Sequence, residues 1–227
     1  MRLAVVTGAS RGIGRATALE LAHRGLGLAL VGRASAEQDE TVELARRRGS
    51  PSVRAFACDF TDAVATERVA HELATLGPVD VLVNNAGVAP RVELEATATA
   101  VWEATLLVNL TAPFLLTRAL VPGMRREGNG RIVFVGSISS TLGTARQTAY
   151  VASKWGIVGF MKSLAEELKD SGVVTLAVLP GSTSTRMLEG SGFEPRMSAE
   201  EVAKTIAHFA LDAPAAHAGG VVEMFGV

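Results

Sequence analysis

Short apolar runs, mostly β-branched, alternate along this chain with longer stretches in which apolar positions recur every three or four residues. The short runs predict strands at 3–6, 27–31, 53–57, 79–83, 132–135, 173–179 and 221–224. The longer stretches predict helices over 12–24, 35–48, 62–76, 99–126, 149–169 and 198–211. Strands that are apolar at successive positions are covered on both faces, and strands separated by helices run parallel. The pattern therefore predicts an α/β, doubly wound Rossmann fold: a seven-stranded, mostly parallel sheet with helices on both faces. No linker, low-complexity tract or short repeat interrupts it, so we expect one domain over 1–227 with a short substrate loop around 186–197.

Polar residues punctuate the pattern where helices begin. Asp62 precedes one apolar-periodic run, and Ser198 followed by Glu201 has the spacing of a capping box. The triplet Arg46-Arg47-Arg48 closes a helix just before Gly49, where cations suit the helix dipole, so it is read as a solvated helix end rather than a phosphate site.

Composition narrows the partners. The chain has 227 residues, 48% of them hydrophobic, and a net charge of −1 with both signs interspersed. No field of one sign is expected to hold nucleic acid or an anionic membrane, so small, roughly neutral molecules fit better. The single cysteine, Cys58, has no internal disulfide partner, and the four histidines lack zinc-ligand spacing, so no metal is expected. With no signal-peptide pattern before the first strand, a cytoplasmic location is expected. The charge-free stretches 104–117 and 132–145 fall short of the roughly 20 apolar residues of a membrane helix, so no spanning segment is predicted.

The chemistry collects at the predicted strand ends. Thr7-Gly8-Ala9-Ser10-Arg11-Gly12-Ile13-Gly14 joins the first strand to the first helix, where backbone amides face a pyrophosphate and Gly8, Gly12 and Gly14 permit a tight turn and close approach. Arg33, Asp59, Asn84-Asn85-Ala86-Gly87, Ser137 and Pro180-Gly181 follow the next five strands, on the rim where open α/β sheets bind ligands. An acid near the second strand end suits a 2′-hydroxyl, whereas a cation suits a 2′-phosphate. Arg33 and Arg11 as a bracket therefore predict NADP(H) over NAD(H), although plain surface exposure also explains Arg33. Asp59 is placed to accept from an adenine amino group, and Cys58 is read as a packed thiol. Asn85 and Gly87 are contact candidates, while Asn84 is read as a tie between strands.

Tyr150 and Lys154 share one helix face, four residues apart. A tyrosine titrating at about 10 needs roughly 4 kcal/mol to fall three units, and a cation about 4 Å away supplies that order of energy. Lys154 is therefore expected to activate Tyr150 as proton donor and acceptor. Ser137 stands where its hydroxyl would orient a substrate oxygen, with Ser139 and Ser140 as competitors. Asn109 interrupts the apolar stretch 106–110, and Pro113 denies the Asn109 carbonyl its helical donor. Two readings stay open: a water-binding carbonyl on a proton path from Lys154, or a kink made for packing alone.

These motifs together resemble the short-chain dehydrogenase/reductase family of the tyrosine-lysine type, from Leu3 to about Thr185. The glycine loop, Asn84 to Gly87 and Tyr150-Val151-Ala152-Ser153-Lys154 match its motifs, and Asn109 and Ser137 complete its catalytic tetrad. The resemblance, nearest to 3-oxoacyl-carrier-protein reductases and related carbonyl reductases, implies hydride transfer between a nicotinamide and a carbonyl or secondary alcohol. It also implies that Lys154 bonds the nicotinamide ribose and that Thr183 and Thr185 of the Pro180 to Thr185 segment hold the carboxamide. Cofactor contacts are then expected from Gly8, Ser10, Arg11, Gly12, Ile13 and Gly14, from Arg33, Asp59, Phe60, Asn85, Ala86 and Gly87, and from Tyr150, Lys154, Pro180, Gly181, Thr183 and Thr185. A homo-oligomer, tetramer or dimer, joined through the helices at 99–126 and 149–169, is a further implication. Phe225 stands where many relatives carry Asp, which bears on contacts near that end. The competing reading is an NADP(H)-binding redox sensor without turnover, for which the glycine loop and nucleotide rim alone would suffice.

Overall fold

Seven strands form one sheet in the order β3-β2-β1-β4-β5-β6-β7, and every neighbouring pair is parallel. The computed structural model describes residues 2–226. Its strands are β1 (Leu3–Thr7), β2 (Gly27–Gly32), β3 (Val53–Ala57), β4 (Val81–Asn84), β5 (Gly130–Val135), β6 (Val173–Pro180) and β7 (Val221–Met224). The helices are α1 (Gly12–His23), α2 (Ala36–Arg47), α3 (Ala63–Ala74), α4 (Thr99–Leu106), α5 (Ala112–Glu127), α6 (Thr148–Glu167) and α7 (Ala199–Leu211).

Strand alternation divides the core into two layers. Val5, Ala29, Val31, Leu82, Ile132 and Phe134 point toward α3, α5 and α6, whose Leu73, Leu116 and Met161 complete that side. Ala4, Val6, Leu28, Leu30, Val81 and Val133 point the other way, against Leu21 of α1, Val42 of α2 and Ile206 of α7. Burial of both faces explains why the strands read as continuous apolar runs. The chain winds outward from β1 in both directions, so β1 and β4 lie at the point where strand order reverses and a crevice opens beyond their carboxyl ends.

The caps are as expected at two helices. Asp62 accepts from the Ala65 amide, Ser198 and Glu201 form a reciprocal capping box, and Ser35 also caps α2 through the Gln38 amide. Arg46 pairs with Glu43 at the end of α2, in keeping with a solvated helix end. Several strand limits move by one or two residues, two of them onto polar or small positions. β4 runs through Asn84, which pairs with Phe134, and β5 begins at Gly130 and Arg131, because backbone pairing proceeds regardless of side-chain polarity.

The long helix expected over 99–126 runs without a gap over Thr99–Glu127 but widens at one turn. Between α4 and α5 lies a π-helical turn, Leu107–Thr111, in which the Ala112 amide bonds the Leu107 carbonyl five residues back. Pro113 opens α5, and its missing amide costs least at a helix start. Taken together, Thr99–Glu127 is long and apolar enough to cross a membrane by length and composition, unlike the shorter charge-free stretches; half of its apolar window is buried within the protein.

Candidate active site

The floor of the crevice is the turn from β1 into α1, braced from β4. Thr7 is buried at the end of β1; its Oγ1 accepts from the Asn85 and Ala86 amides, each at 2.9 Å, and faces the Val83 carbonyl at 3.3 Å. The Asn85 amide group donates to the Thr7 carbonyl at 2.9 Å and lies 3.4 Å from that of Gly8. Gly8 and Gly12 have φ of 65° and 55°, a region costly for residues with a Cβ. A Cβ on Gly14 would stand 2.2 Å from the Gly8 carbonyl oxygen. The turn is a cradle of bare backbone at the N-terminus of α1, with the chemistry to hold a pyrophosphate.

A strap crosses above this floor. The Gly181 amide continues the β6–β7 pairing to the Met224 carbonyl at 2.8 Å, after which Thr183 bridges Met197. Thr183 and Thr185 turn their hydroxyls onto the carbonyls of Gly181 and Thr183. The Thr185 methyl lies over the floor, 3.2 Å from where a Gly12 Cβ would be. Arg91, in the loop after β4, donates to the Met187 carbonyl at 2.6 Å and to that of Glu189 at 3.2 Å.

Tyr150 and Lys154 lie in the first two turns of α6, and both are buried. The Lys154 ammonium donates to the Val135 carbonyl at 2.8 Å and stands 5.8 Å from the centre of the Tyr150 ring. Burial brings the lysine down to about 8. The same burial pushes the Tyr150 phenol up, only partly opposed by the Ser137 hydroxyl and the Arg91 charge. This corrects the expectation that Lys154 draws the phenol down. The ammonium is engaged by a backbone carbonyl, and desolvation of the phenolate outweighs the favourable neighbours.

The three serines separate by their partners. The Ser140 Oγ accepts from the Ser137 amide and the buried Ser139 Oγ faces Thr144, whereas Ser137 is half-buried beside the phenol and caps the Ser139 amide. Asn109, in the π turn, holds the Val88 backbone with two bonds, accepting from its amide and donating to its carbonyl, both at 2.9 Å. It also donates to the Ser153 hydroxyl at 2.9 Å, and Ser153 donates to the Tyr150 carbonyl at 2.6 Å. One buried amide thus ties the loop after β4 to the helix that carries Tyr150.

The remaining rim residues differ in what they offer. Asp59 accepts from the Thr61 amide and hydroxyl, which, with Arg33 nearby, hold its carboxyl below the usual range. The Phe60 ring is buried in the core, so its backbone alone borders the crevice. Ile13 packs against Ala199 and Ala203 of α7. Asn84 donates to Thr117 of α5 at 3.3 Å, a strand-to-helix tie in place of the strand-to-strand tie expected. Cys58 is packed, with burial raising its thiol. Sequence reasoning missed Thr7 as a brace, Ser153 as a link, and Arg91, Glu37 and Arg186 at the strap. A buried hydroxyl at the end of an apolar strand signals Thr7, but the other contacts have no local signature.

A doubly wound sheet with a glycine-lined turn at its switch point and a Ser-Tyr-Lys group on the same rim defines a nucleotide-dependent oxidoreductase acting on the alcohol/carbonyl pair. The model of the short chain dehydrogenase family matches residues 2–194, and the chain belongs to that family. It is 35% identical over 229 residues to a 3-oxoacyl-acyl-carrier-protein reductase of Synechocystis sp., covering 96% of this chain and 93% of that one. Among solved structures, a protein from Beutenbergia cavernae assigned as an NAD(P)-dependent gluconate 5-dehydrogenase, with NADP bound at low occupancy, is similar at a TM-score of 0.92 and 33% identity, covering 98% of this chain and 94% of that one. A metagenomic short-chain oxidoreductase in complex with NADP has a TM-score of 0.87 and 34% identity, covering 100% of this chain and 97% of that one.

Proposed function

We propose that this protein is an NADP(H)-dependent carbonyl reductase whose substrates are ketones or 3-oxoacyl thioesters. The observation that carries the reading is the buried Tyr150 phenol, with Ser137 beside it and Lys154 one turn along, on the rim of a turn that only glycine can line. The relatives named as 3-oxoacyl reductase and solved with NADP support the substrate and cofactor classes.

A bound nicotinamide supplies hydride chemistry to a carbonyl carbon. Tyr150 donates its proton to the substrate oxygen, and a phenol pushed up by burial is held in the protonated form that reduction requires. Ser137 donates a hydrogen bond to the same oxygen and orients it. The Lys154 ammonium, held by the Val135 carbonyl one turn along from Tyr150, binds the nicotinamide ribose. Asn109 fixes the distance between the nucleotide loop and α6, and its carbonyl, in the widened turn, serves a water-borne proton path from Lys154. The amides and side chains of Gly8 to Gly14 hold the pyrophosphate, Arg11 and Arg33 a 2′-phosphate, Asp59 and Phe60 the adenine, and Asn85 to Gly87 the adjoining nucleoside. The Pro180 to Thr185 segment holds the carboxamide.

The same reading carries a homo-oligomer joined through α4, α5 and α6, where Trp102, Phe114 and Trp155 are exposed, and a cytoplasmic setting in which Cys58 stays reduced. The test is NADPH oxidation across a panel of ketones and 3-oxoacyl thioesters, wild type against Tyr150→Phe. Loss of about 10²- to 10⁴-fold in turnover is expected. Full turnover in the variant overturns the proton-transfer role, and tight NADPH binding with no oxidation of any panel member favours a redox sensor.

A further inference from the structure

Glu37 lies in the first turn of α2, just beyond the end of β2, and its carboxylate is shared by two arginines from distant parts of the chain. Oε2 accepts from Arg11 of the glycine turn at 2.9 Å, and Oε1 accepts from Arg186 of the strap at 2.7 Å. The Glu37 carbonyl accepts from Arg15 and from Thr41, both at 2.9 Å, and Arg15 also pairs with Glu40. This turn of α2 is therefore stapled to α1, and the carboxylate cannot simply drift away from Arg11.

We propose that Glu37 is a specificity-determining residue that competes with the 2′-phosphate of the dinucleotide for Arg11, and so narrows the preference for NADP(H) over NAD(H). The proposal rests on the NADP(H) reading above. A 2′-phosphate between Arg11 and Arg33 draws the Arg11 guanidinium from Glu37 and brings its own charge toward that carboxylate. A 2′-hydroxyl does neither. Arg11 and Arg186 share the single charge of Glu37 at this mouth, so the carboxylate offsets half of their combined charge. The surrounding guanidiniums hold the Glu37 carboxyl below its usual range, so it is charged throughout the physiological range and competes at full strength.

The consequence extends to the strap. When Arg11 turns to a phosphate, Glu37 retains Arg186 alone, and the pair that closes the mouth no longer spans to the glycine turn. Occupation by NADP(H) and the hold on residues 185–190 are thereby linked through one carboxylate.

The experiment measures calorimetric binding of adenosine 2′,5′-bisphosphate and of 5′-AMP to wild type and to Glu37→Gln, an isosteric change at a partly exposed position. Glu37→Gln is expected to bind the bisphosphate about three- to tenfold more tightly while its affinity for 5′-AMP stays unchanged, and the gain is expected to shrink in high salt. Equal changes for the two ligands, or weaker bisphosphate binding by the variant, overturn the proposal. The wild-type ratio tests the cofactor reading separately. A wild type without preference whose variant gains one refutes the NADP(H) assignment and upholds the competition, and a wild type with a strong preference that Glu37→Gln leaves unchanged does the reverse.

Discussion

The floor of the crevice and the strap above it are built on different principles. On the floor, Thr7, Asn85, Asn109 and Ser153 direct hydrogen bonds at backbone groups, and Thr7, Asn109 and Ser153 are buried. Over it, residues 185–190 are held by the half-exposed arginines Arg91 and Arg186. Buried bonds are costly to leave unmade and resist salt, whereas exposed contacts of a guanidinium with a carbonyl or a carboxylate contribute little and are screened. Reaction geometry is therefore stored in the part that does not yield, and access is governed by the part that does.

The sharpest test of this contrast is Asn109→Ala, which strands the amide and carbonyl of Val88 and removes the link to Ser153. We expect a loss of about 2–4 kcal/mol in denaturant unfolding; a loss under about 0.5 kcal/mol would mean that the floor is no firmer than the strap. Next comes Lys154. Its folded value of about 8 lies below the ordinary 10.5, so between those values the unfolded chain binds a proton the folded chain has released. Its contribution to stability therefore rises with pH in that window, by up to about 1.4 kcal/mol per pH unit, and Lys154→Met removes the rise. An unchanged pH slope in the variant contradicts a buried, depressed lysine. The smallest effect is expected for Arg91→Ala: stability changes by less than about 1 kcal/mol, and KM rises up to about fivefold with kcat nearly constant as the strap loosens. A collapse in kcat instead would place Arg91 with the floor.

What could be read in advance follows the reach of each signal. The strands, the glycine turn and the Tyr150–Lys154 pair are written in residues fewer than ten apart, where periodicity and i,i+4 spacing speak directly. The strap contacts join Arg91 to Met187 and Glu37 to Arg186, and no local pattern records a pairing across 96 or 149 residues. Asn109 was visible as an amide in an apolar run, but its partners, Val88 and Ser153, required the fold. The direction of the Tyr150 shift was misread because the sequence shows a nearby cation and conceals both the depth of burial and the Val135 carbonyl that holds the cation.

The π turn at Leu107–Thr111 lets this helix absorb a one-residue length change in a way its neighbours cannot. Such a turn behaves as one residue inserted into an α-helix and absorbed within a single loop of backbone. Deleting one residue from 107–111 would restore regular winding and still leave a continuous, well-formed helix. Because the wider turn absorbs the extra residue, the side chains beyond the deletion would keep nearly the facing they now have, whereas a deletion in a regular α-helix would rotate them by about 100°. Leu116 and Leu120 would still meet the core they now cover, and the cost would fall on Asn109, which the wider turn presents to Val88 and Ser153. In an alignment or a redesign, that extra residue has to be treated as part of the helix rather than as a defect to be repaired.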